Sequence, residues 1–340
     1  MKINKISIII PVHNGAKVIL SCLSSIANNK IDIPYEIIVV DDGSTDTTAE
    51  IVGKLQCIYI RIDKAGVSKA RNVGIEKATG DILLFFDADV MLKEDTLSKF
   101  LLHFEQDEDA YIIQGLWDKH YPLDSYSTKF MLLRFRYNIE GLIGNKKRLR
   151  VAELMTGCLG IRKQVFTHFK GFDEGYKFAG GEEFEFGLRL FEKYNIFYYP
   201  DISVYHKFGT FLQTAKKIYF RTTNYSMLVF GSNKKGQFLK LTENSVPDRD
   251  RYSVIITLLL ILSISLFCFN IGLALVLYLS FFVLYTINAR HFLLYLYKES
   301  GLLFATMGVL SDIFLMVPRL FGLLKALFIF FILSKKDYKI

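Results

Sequence analysis

The sequence has 340 residues, of which 51% are hydrophobic and 15% are aromatic. This is too apolar for a single water-soluble domain and too polar for a chain buried entirely in a membrane, so we expect a soluble domain joined to a membrane part. The net charge of +8 is compatible with anionic lipid or phosphate-rich substrates. No recognised nucleic-acid-binding motif accompanies the charge, so nucleic acid is not expected as a partner.

The first part of the chain alternates short apolar runs with helical patterns. Strands are predicted over residues 7–12, 36–40, 58–62 and 82–86, and helices over 17–27, 46–54 and 67–78. Short strands rich in Ile and Val, separated by helices, are typical of an α/β domain with a mainly parallel sheet covered by helices on both faces. The apolar run over residues 6–10 is too short for a secretory signal, so we expect this domain in the cytoplasm.

The middle of the chain is mixed in pattern. It predicts a helix over residues 127–143, short strands near Leu154 and Leu159, a helix over 182–194 and a strand over 202–205. We expect this part to supply the acceptor side of a cleft, and the whole of residues 1–210 to form one Rossmann-like domain.

A basic and aromatic segment follows, over residues 211–251. Its first part, residues 211–230, has the helical spacing of a helix that lies in a membrane interface, although a solvated surface helix would show the same pattern. Lys and Arg side chains gather here, before the first apolar stretch, where anionic headgroups favour them. They are Lys216, Lys217, Arg221, Lys234, Lys235, Lys240, Arg249 and Arg251.

The last part of the chain, residues 252–340, is strongly apolar. Residues 253–271 and 272–288 each approach the length needed to cross a bilayer. Residues 301–317 and 320–333 are shorter and are separated by Pro318-Arg319, so they are either two further spans or one re-entrant hairpin. The basic ending at Lys335, Lys336 and Lys339 favours a cytoplasmic C-terminus, and the sequence therefore predicts a multi-pass protein with an even number of crossings.

Two carboxylates follow the predicted strand over residues 82–86, in Asp87-Ala88-Asp89. Ligands of such sheets bind outside the carboxyl ends of the strands, and carboxylate oxygens suit Mg²⁺ or Mn²⁺ that bridges a diphosphate. Taken alone, the pattern is also compatible with aspartates that cap the next helix. A second acidic turn, Asp41-Asp42-Gly43-Ser44, ends another predicted strand and favours a binding edge.

These residues resemble the family-2 glycosyltransferases of the GT-A fold. The likeness includes an R-N-x-G segment, a D-x-D strand end, a G-F-D-E turn and a variant of the family's E-D-x-D/E helix start. Six segments carry it in the family's order: residues 8–14, 38–46, 66–74, 80–89, 171–174 and 181–185.

The resemblance implies a nucleotide-sugar site. It assigns Pro11, Asp42 and Arg71 to the nucleotide base, and Asp87 to the ribose or to metal-bound water. Asp89 would coordinate Mg²⁺ or Mn²⁺ directly. The alternatives are that Asp42 only caps a helix and that Arg71 is a surface charge.

His206 matches a position where some members of this fold carry a histidine near the metal and the diphosphate. Imidazole is able to ligate Mn²⁺ or to donate to a phosphate. A single histidine is as often structural, and both roles stay open.

The resemblance also implies a general base at Glu183, with Glu182 beside it. The family usually carries Asp at the position of Glu183, so this chain has one more methylene there. The alternative is that both acidic residues only stabilise a helix N-terminus.

The predicted function is therefore a membrane-anchored, inverting, metal-dependent glycosyltransferase that moves one sugar from a nucleotide diphosphate sugar, with a UDP-sugar expected. The processive members' Q-x-x-R-W motif is not matched by residues 213–217, which favours single transfer. The expected acceptor is a membrane lipid, a lipid-linked saccharide or a glycan. The alternative is a non-catalytic membrane protein that binds a nucleotide sugar. A G-x-G-x-x-G turn is missing after the first predicted strand, which argues against an NAD-dependent oxidoreductase.

Overall fold

The computed structural model describes residues 2–120, 125–176, 180–231 and 248–332. These residues form two compact units: residues up to 120 with 142–207, and residues 125–141 with 208–332. The predictions that rest on Lys234, Lys235, Lys240, Leu333 and the charged ending over 335–339 lie outside the described residues.

The first unit contains a single sheet in which nine strands are described. Most of its strands are runs of Ile, Val, Leu and Phe with little exposed surface, as expected for strands covered on both faces. The strands are β1 (Ile6–Val12), β2 (Tyr35–Asp42), β3 (Ile58–Ile62), β4 (Ile82–Phe85), β5 (Val90–Leu92), β6 (Ile112–Trp117), β7 (Leu149–Val151), β8 (Leu159–Arg162) and β9 (Ile196–His206).

The sheet is mixed, with the order β3-β2-β1-β4-β8-β6-β9-β5 and β7 paired to β9. Strands β1 to β4 are parallel, as the sequence predicts. Strand β8 is antiparallel to both β4 and β6, and β5 and β7 are antiparallel to β9. Strand β6 pairs with β9 in parallel, so six of the nine described strands run in one direction, and the prediction of a mainly parallel sheet is wrong only for β5, β7 and β8. Apolar runs indicate burial on both faces but carry no information about strand direction.

The helices agree closely with the predicted ones. Short 3₁₀ segments occur at Thr156–Cys158, Lys163–Thr167 and Leu266–Cys268, and a π-helical segment at Phe328–Ile332. The α-helices are α1 (Ile19–Ala27), α2 (Thr48–Val52), α3 (Val67–Lys77), α4 (Thr96–Gln106), α5 (Tyr126–Ile143), α6 (Glu182–Phe191), α7 (Phe211–Gly231), α8 (Asp248–Ser265) and α9 (Ile271–Leu327).

Helix α9 is interrupted at Gly301 and not at Pro318-Arg319, where the sequence suggested a break. Gly301 has φ 84° and ψ 175°, a conformation that L side chains rarely adopt. The helix continues through Pro318, because proline removes one hydrogen bond and bends a helix without necessarily ending it. By length and composition, Ile271–Ile332 is the one described helical stretch that is able to cross a membrane, while Tyr252–Cys268 is apolar but shorter.

Helix α3 packs tightly against β1. A Cβ placed on Gly74 would lie 2.4 Å from Cγ2 of Ile9, a core residue of β1. Any side chain at Gly74 therefore pushes α3 away from the sheet, and α3 carries Arg71 and Asn72.

We predict that Gly74→Ala lowers the free energy of unfolding by about 1–3 kcal/mol, because it overpacks this contact. The melting temperature of the purified full chain is the measurement. Gly141→Ala is the matched control, since Gly141 lies in helix α5 with nothing within 4 Å of the added Cβ. A similar melting temperature for both variants would contradict the prediction.

Candidate functional site

Three of the predicted site residues lie at one edge of the sheet because of strand register. Strand β1 pairs with β2 on one side and with β4 on the other, and all three run in the same direction. Pro11 and Asp42 lie at the ends of β1 and β2, and Asp87 follows the end of β4. This places the predicted nucleotide-binding and metal-binding residues at the carboxyl edge of the parallel strands.

The two aspartates at the end of β2 have different partners. Asp41 accepts hydrogen bonds from the backbone N–H of Ser44 at 2.7 Å and from the Tyr59 hydroxyl at 2.6 Å. Burial raises the pKa of Asp41, but these hydrogen bonds outweigh it and the net shift is downward. Asp41 is therefore a carboxylate that stabilises the turn over residues 41–44 through its hydrogen bond with Ser44.

Asp42 instead accepts from the backbone N–H of Ala65 at 2.6 Å and of Gly66 at 3.0 Å. Gly66 has φ 101° and directly precedes helix α3. Asp42 therefore fixes the loop that leads into α3, and its contact with a nucleotide base stays a prediction.

Arg71 is 2% exposed, so it is not a surface charge. Its guanidinium donates to Oε1 of Glu182 at 3.0 Å and to Oδ1 of Asp87 at 3.2 Å. The ring of Phe172 lies 5.3 Å from the guanidinium carbon, within cation–π range. Arg71 thus joins helix α3, the end of β4 and the start of helix α6.

The carboxylates around Arg71 also affect one another. Burial lowers the pKa of Arg71, but the negative charges of Asp87, Glu182 and Glu183 outweigh it and raise the pKa. Desolvation raises the pKa of Asp87 to about 6 against the opposing effect of Arg71, with Asp89 and Glu183 adding to the rise. Asp87, Asp89 and Glu183 thus repel one another beside a single guanidinium, and a bound cation would relieve this repulsion.

Asp89 and His206 lie next to each other across the β5–β9 pair. His206 Nε2 is 3.7 Å from Oδ2 of Asp89, and the imidazole stacks on Trp117 with ring centroids 4.5 Å apart. The side chains of Asp87 and Asp89 are 37% and 39% exposed. Carboxylates and imidazole are ligand types that Mg²⁺ and Mn²⁺ accept, together with water and phosphate. Within the described ranges, however, no group of three or more His, Cys, Asp or Glu side chains is placed to hold a metal ion, so the metal role of Asp87, Asp89 and His206 stays a prediction.

Glu182 and Glu183 begin helix α6 and have separate surroundings. Glu182 is 0% exposed, and its Oε2 accepts from the backbone N–H of Gly180 at 2.7 Å and of Gly181 at 3.0 Å. Glu183 accepts through Oε1 from the Thr156 hydroxyl and, at 3.4 Å, from the Thr156 N–H. The two residues therefore belong to different parts of the site.

Several contacts at this edge join residues that are distant in the sequence and could not be predicted from it. Asn72 forms paired hydrogen bonds with the backbone of Phe172, both 2.8 Å long, and so joins the R-N-x-G and G-F-D-E segments. A Cβ on Gly157 would lie 2.3 Å from the Trp117 ring and 3.0 Å from Oδ2 of Asp87. The motif at Asn72 was visible in the sequence without its partner, whereas nothing in the sequence marked Trp117 or Gly157.

Residues 7–169 match the family model described as "Glycosyl transferase family 2". The chain carries a family-2 glycosyltransferase domain. The resemblance is thereby confirmed for the four segments within residues 7–169, while the segments over 171–174 and 181–185 lie beyond the match. The mixed α/β sheet is GT-A-like.

Individual relatives match only part of their length. The uncharacterized glycosyltransferase YfnE of Bacillus subtilis (strain 168) is 31% identical over 122 residues, which is 34% of this chain and 31% of YfnE. The poly(ribitol-phosphate) beta-N-acetylglucosaminyltransferase TarS of Staphylococcus aureus (strain Mu50) is 38% identical over 102 residues, which is 27% of this chain and 18% of TarS.

A solved structure extends the fold comparison to nearly the whole chain. The mannosyltransferase PcManGT from Pyrobaculum calidifontis, in complex with GDP-Man and Mn²⁺, has a TM-score of 0.59 and 15% sequence identity. The match covers 96% of this chain and 88% of that one. It supports the fold of the family-2 domain and of the helical region after it.

We predict that Arg71→Met lowers the free energy of unfolding by about 3–5 kcal/mol, because it leaves Glu182 charged and buried without its cation. The double variant Arg71→Met/Glu182→Gln should recover part of this loss, since it removes the stranded charge. Melting temperatures of the wild type, of Arg71→Met, of Glu182→Gln and of the double variant measure the coupling between Arg71 and Glu182. Equal losses in the single and double variants would argue that the ion pair is not what stabilises this region.

Proposed function

We propose that the chain transfers a single sugar from a nucleotide diphosphate sugar, with inversion, to a membrane lipid, a lipid-linked saccharide or a glycan. The observation that supports this most is the buried Arg71 between Asp87 and Glu182, in a family-2 domain that also has Asp89 next to His206. We propose a UDP-sugar as the donor.

In this proposal the donor lies along the carboxyl edge of the parallel strands. We assign the nucleotide to Pro11, Asp42 and Arg71. Arg71 is included because it lies beside Asp87. Asp89 and His206, with Asp87 at the ribose or a metal-bound water, would hold Mg²⁺ or Mn²⁺. When bound, the cation neutralises the diphosphate as it leaves. Mn²⁺ bound with GDP-Man in PcManGT is a parallel in a protein of the same fold.

We assign the general base to Glu183. The acceptor hydroxyl gives its proton to the Glu183 carboxylate while its oxygen bonds to the anomeric carbon. The bond between that carbon and the diphosphate oxygen breaks, and the electron pair leaves with the diphosphate. Thr156 orients the carboxylate through its hydrogen bond. Glu182 is a positioning residue, because its oxygens are held by Arg71 and by the two glycine N–H groups.

We further propose that the apolar helices α8 and α9 anchor the chain to a membrane, with the family-2 domain in the cytoplasm. The long apolar stretch Ile271–Ile332 supports this by length and composition. A membrane position would bring the domain close to a lipid-linked acceptor. A non-catalytic nucleotide-sugar-binding protein is the alternative, and the variants below separate the two.

We predict that Asp89→Ala abolishes transfer and leaves the melting temperature within a few degrees of the wild type, because Asp89 is partly exposed and belongs to no core. A chelator should inhibit the wild type, and Mg²⁺ or Mn²⁺ should restore it. Asp95→Ala is the control, since Asp95 is an exposed aspartate that pairs with Lys99 on α4. Transfer by Asp89→Ala at near wild-type rate would remove this residue from the site.

We predict that Glu183→Gln keeps the affinity for the nucleotide sugar and loses about 10²- to 10⁴-fold in turnover, as is usual when a general base is removed. Glu182→Gln should behave differently: it weakens the contact with Arg71 and lowers the melting temperature. Binding by calorimetry and turnover with a panel of nucleotide sugars are the measurements.

The outcomes of these two variants are distinct. An inactive Glu182→Gln with an active Glu183→Gln would reverse the assignment of the pair. Donor binding by a wild type that transfers no sugar to any acceptor or to water would favour the non-catalytic alternative.

A further inference from the structure

We infer that helix α8 and the first part of α9 form a hairpin that enters a lipid bilayer from one side and does not emerge on the other. The inference rests on the membrane association proposed above and replaces the two crossings predicted over residues 253–271 and 272–288. It concerns the second unit alone.

The hairpin has an uncharged body. Residues 254–287 contain no Asp, Glu, Lys, Arg or His. The two legs pack on each other through Ile256 and Leu260 of α8 and Tyr285 and Ala289 of α9. Many of their outward side chains are large and apolar, including Ile255, Leu262, Val276, Leu279 and Val283. An outer surface of this kind matches hydrocarbon and not water.

The base of the hairpin is marked by charge and polarity. Asn288 donates to the Ser253 hydroxyl at 3.0 Å, so these two residues lie side by side at the base of the two legs. Immediately after this base, α9 carries the exposed Arg290 and His291, and later the exposed Lys298. The hydrocarbon part of the hairpin therefore lies between residues 254 and 287.

Buried ion pairs reinforce this base. Asp250 of α8 accepts from Arg134 of α5 at 2.8 Å and also from Arg319 of α9. Asp312 accepts from Arg134 at 2.8 Å and from the Tyr285 hydroxyl at 3.0 Å. Four charges of balanced sign thus join α5, α8 and both parts of α9. Paired charges are costly within hydrocarbon, which favours a position of this network near the headgroups.

The legs above the base are short for a bilayer. At about 1.5 Å per residue, residues 254–269 and 271–287 each rise by about 22–24 Å. The hydrocarbon core of a typical bilayer is about 30 Å thick. A tilt would shorten the reach of both legs further.

The tip of the hairpin is apolar. It consists of the 3₁₀ segment Leu266–Cys268 followed by Phe269, Asn270 and Ile271, with Phe269 87% and Ile271 69% exposed. A loop that emerged into water on the far side would expose these side chains there. The composition of the tip instead favours a position inside the hydrocarbon.

Several polar groups near the tip form hydrogen bonds within the hairpin, as a position in lipid requires. The hydroxyls of Ser263 and Ser265 donate to the carbonyl groups of Leu260 and Leu262, both at 2.7 Å. Asn270 accepts from the N–H of Leu273 at 3.0 Å and so caps α9. The N–H groups of Phe269 and Asn270 both donate to the Leu266 carbonyl at 2.9 Å.

The native Cys268 at the tip provides the test. It is exposed in the structure, Cys57 is half-buried, and Cys22 and Cys158 are buried. We propose labelling Cys57→Ser in sealed membrane vesicles of both orientations with a membrane-impermeant maleimide, before and after detergent. Cys57→Ser/Cys268→Ser gives the background, and Lys298→Cys in that background reports the face from which the hairpin enters.

The expected result is labelling of Lys298→Cys from one face only and of Cys268 from neither face until detergent is added. Labelling of Cys268 from the face opposite to residue 298 would show a spanning hairpin and overturn the inference. Labelling from the same face would show that the hairpin is not inserted. If the wild type does not float with the vesicles, the membrane part of the proposed function fails as well. None of these readouts depends on sugar transfer.

Discussion

The buried cation of Arg71 is the constraint on which the family-2 domain depends. A guanidinium that is 2% exposed must be paired, because an unpaired buried charge costs several kcal/mol. Its partners are Asp87, which follows β4, and Glu182, which lies more than ninety residues later at the start of α6. The ion pairs therefore hold the acidic strand end and the first turn of α6 at one place, and both proposed chemical roles depend on that placement.

Much of this edge could be predicted from the sequence, because local patterns carried it. Strands β1, β2 and β4 are short, mainly aliphatic runs with polar residues at or just after their ends, and parallel strands place such ends together. The strand pattern alone therefore predicts that Pro11, Asp42 and Asp87 lie at one edge of the sheet. The helix that begins at Glu182 was also marked, by three acidic residues in its first turn.

The remaining features depend on contacts between distant residues, and no local pattern encodes them. The direction of β8 follows from the path of the chain after β6, so its apolar run could not distinguish parallel from antiparallel pairing. No local pattern marks Trp117, and only the structure shows that its ring stacks on His206. In the apolar part, Pro318 predicted a helix break, but the helix is interrupted at Gly301 instead. The φ of 84° at Gly301 depends on the folded structure, and a local pattern does not predict it.

The division of roles between Glu182 and Glu183 follows from helix geometry. Successive residues of an α-helix point about 100° apart, so two neighbouring glutamates point in different directions. Glu182 points to Arg71 and is closed off by the N–H groups of Gly180 and Gly181. Glu182 is 0% exposed and Glu183 is 7% exposed, so burial alone does not separate the two carboxylates. Glu183 is held by Thr156, away from the two glycine N–H groups that hold Glu182, and this separate environment is the reason why we assign the general base to Glu183.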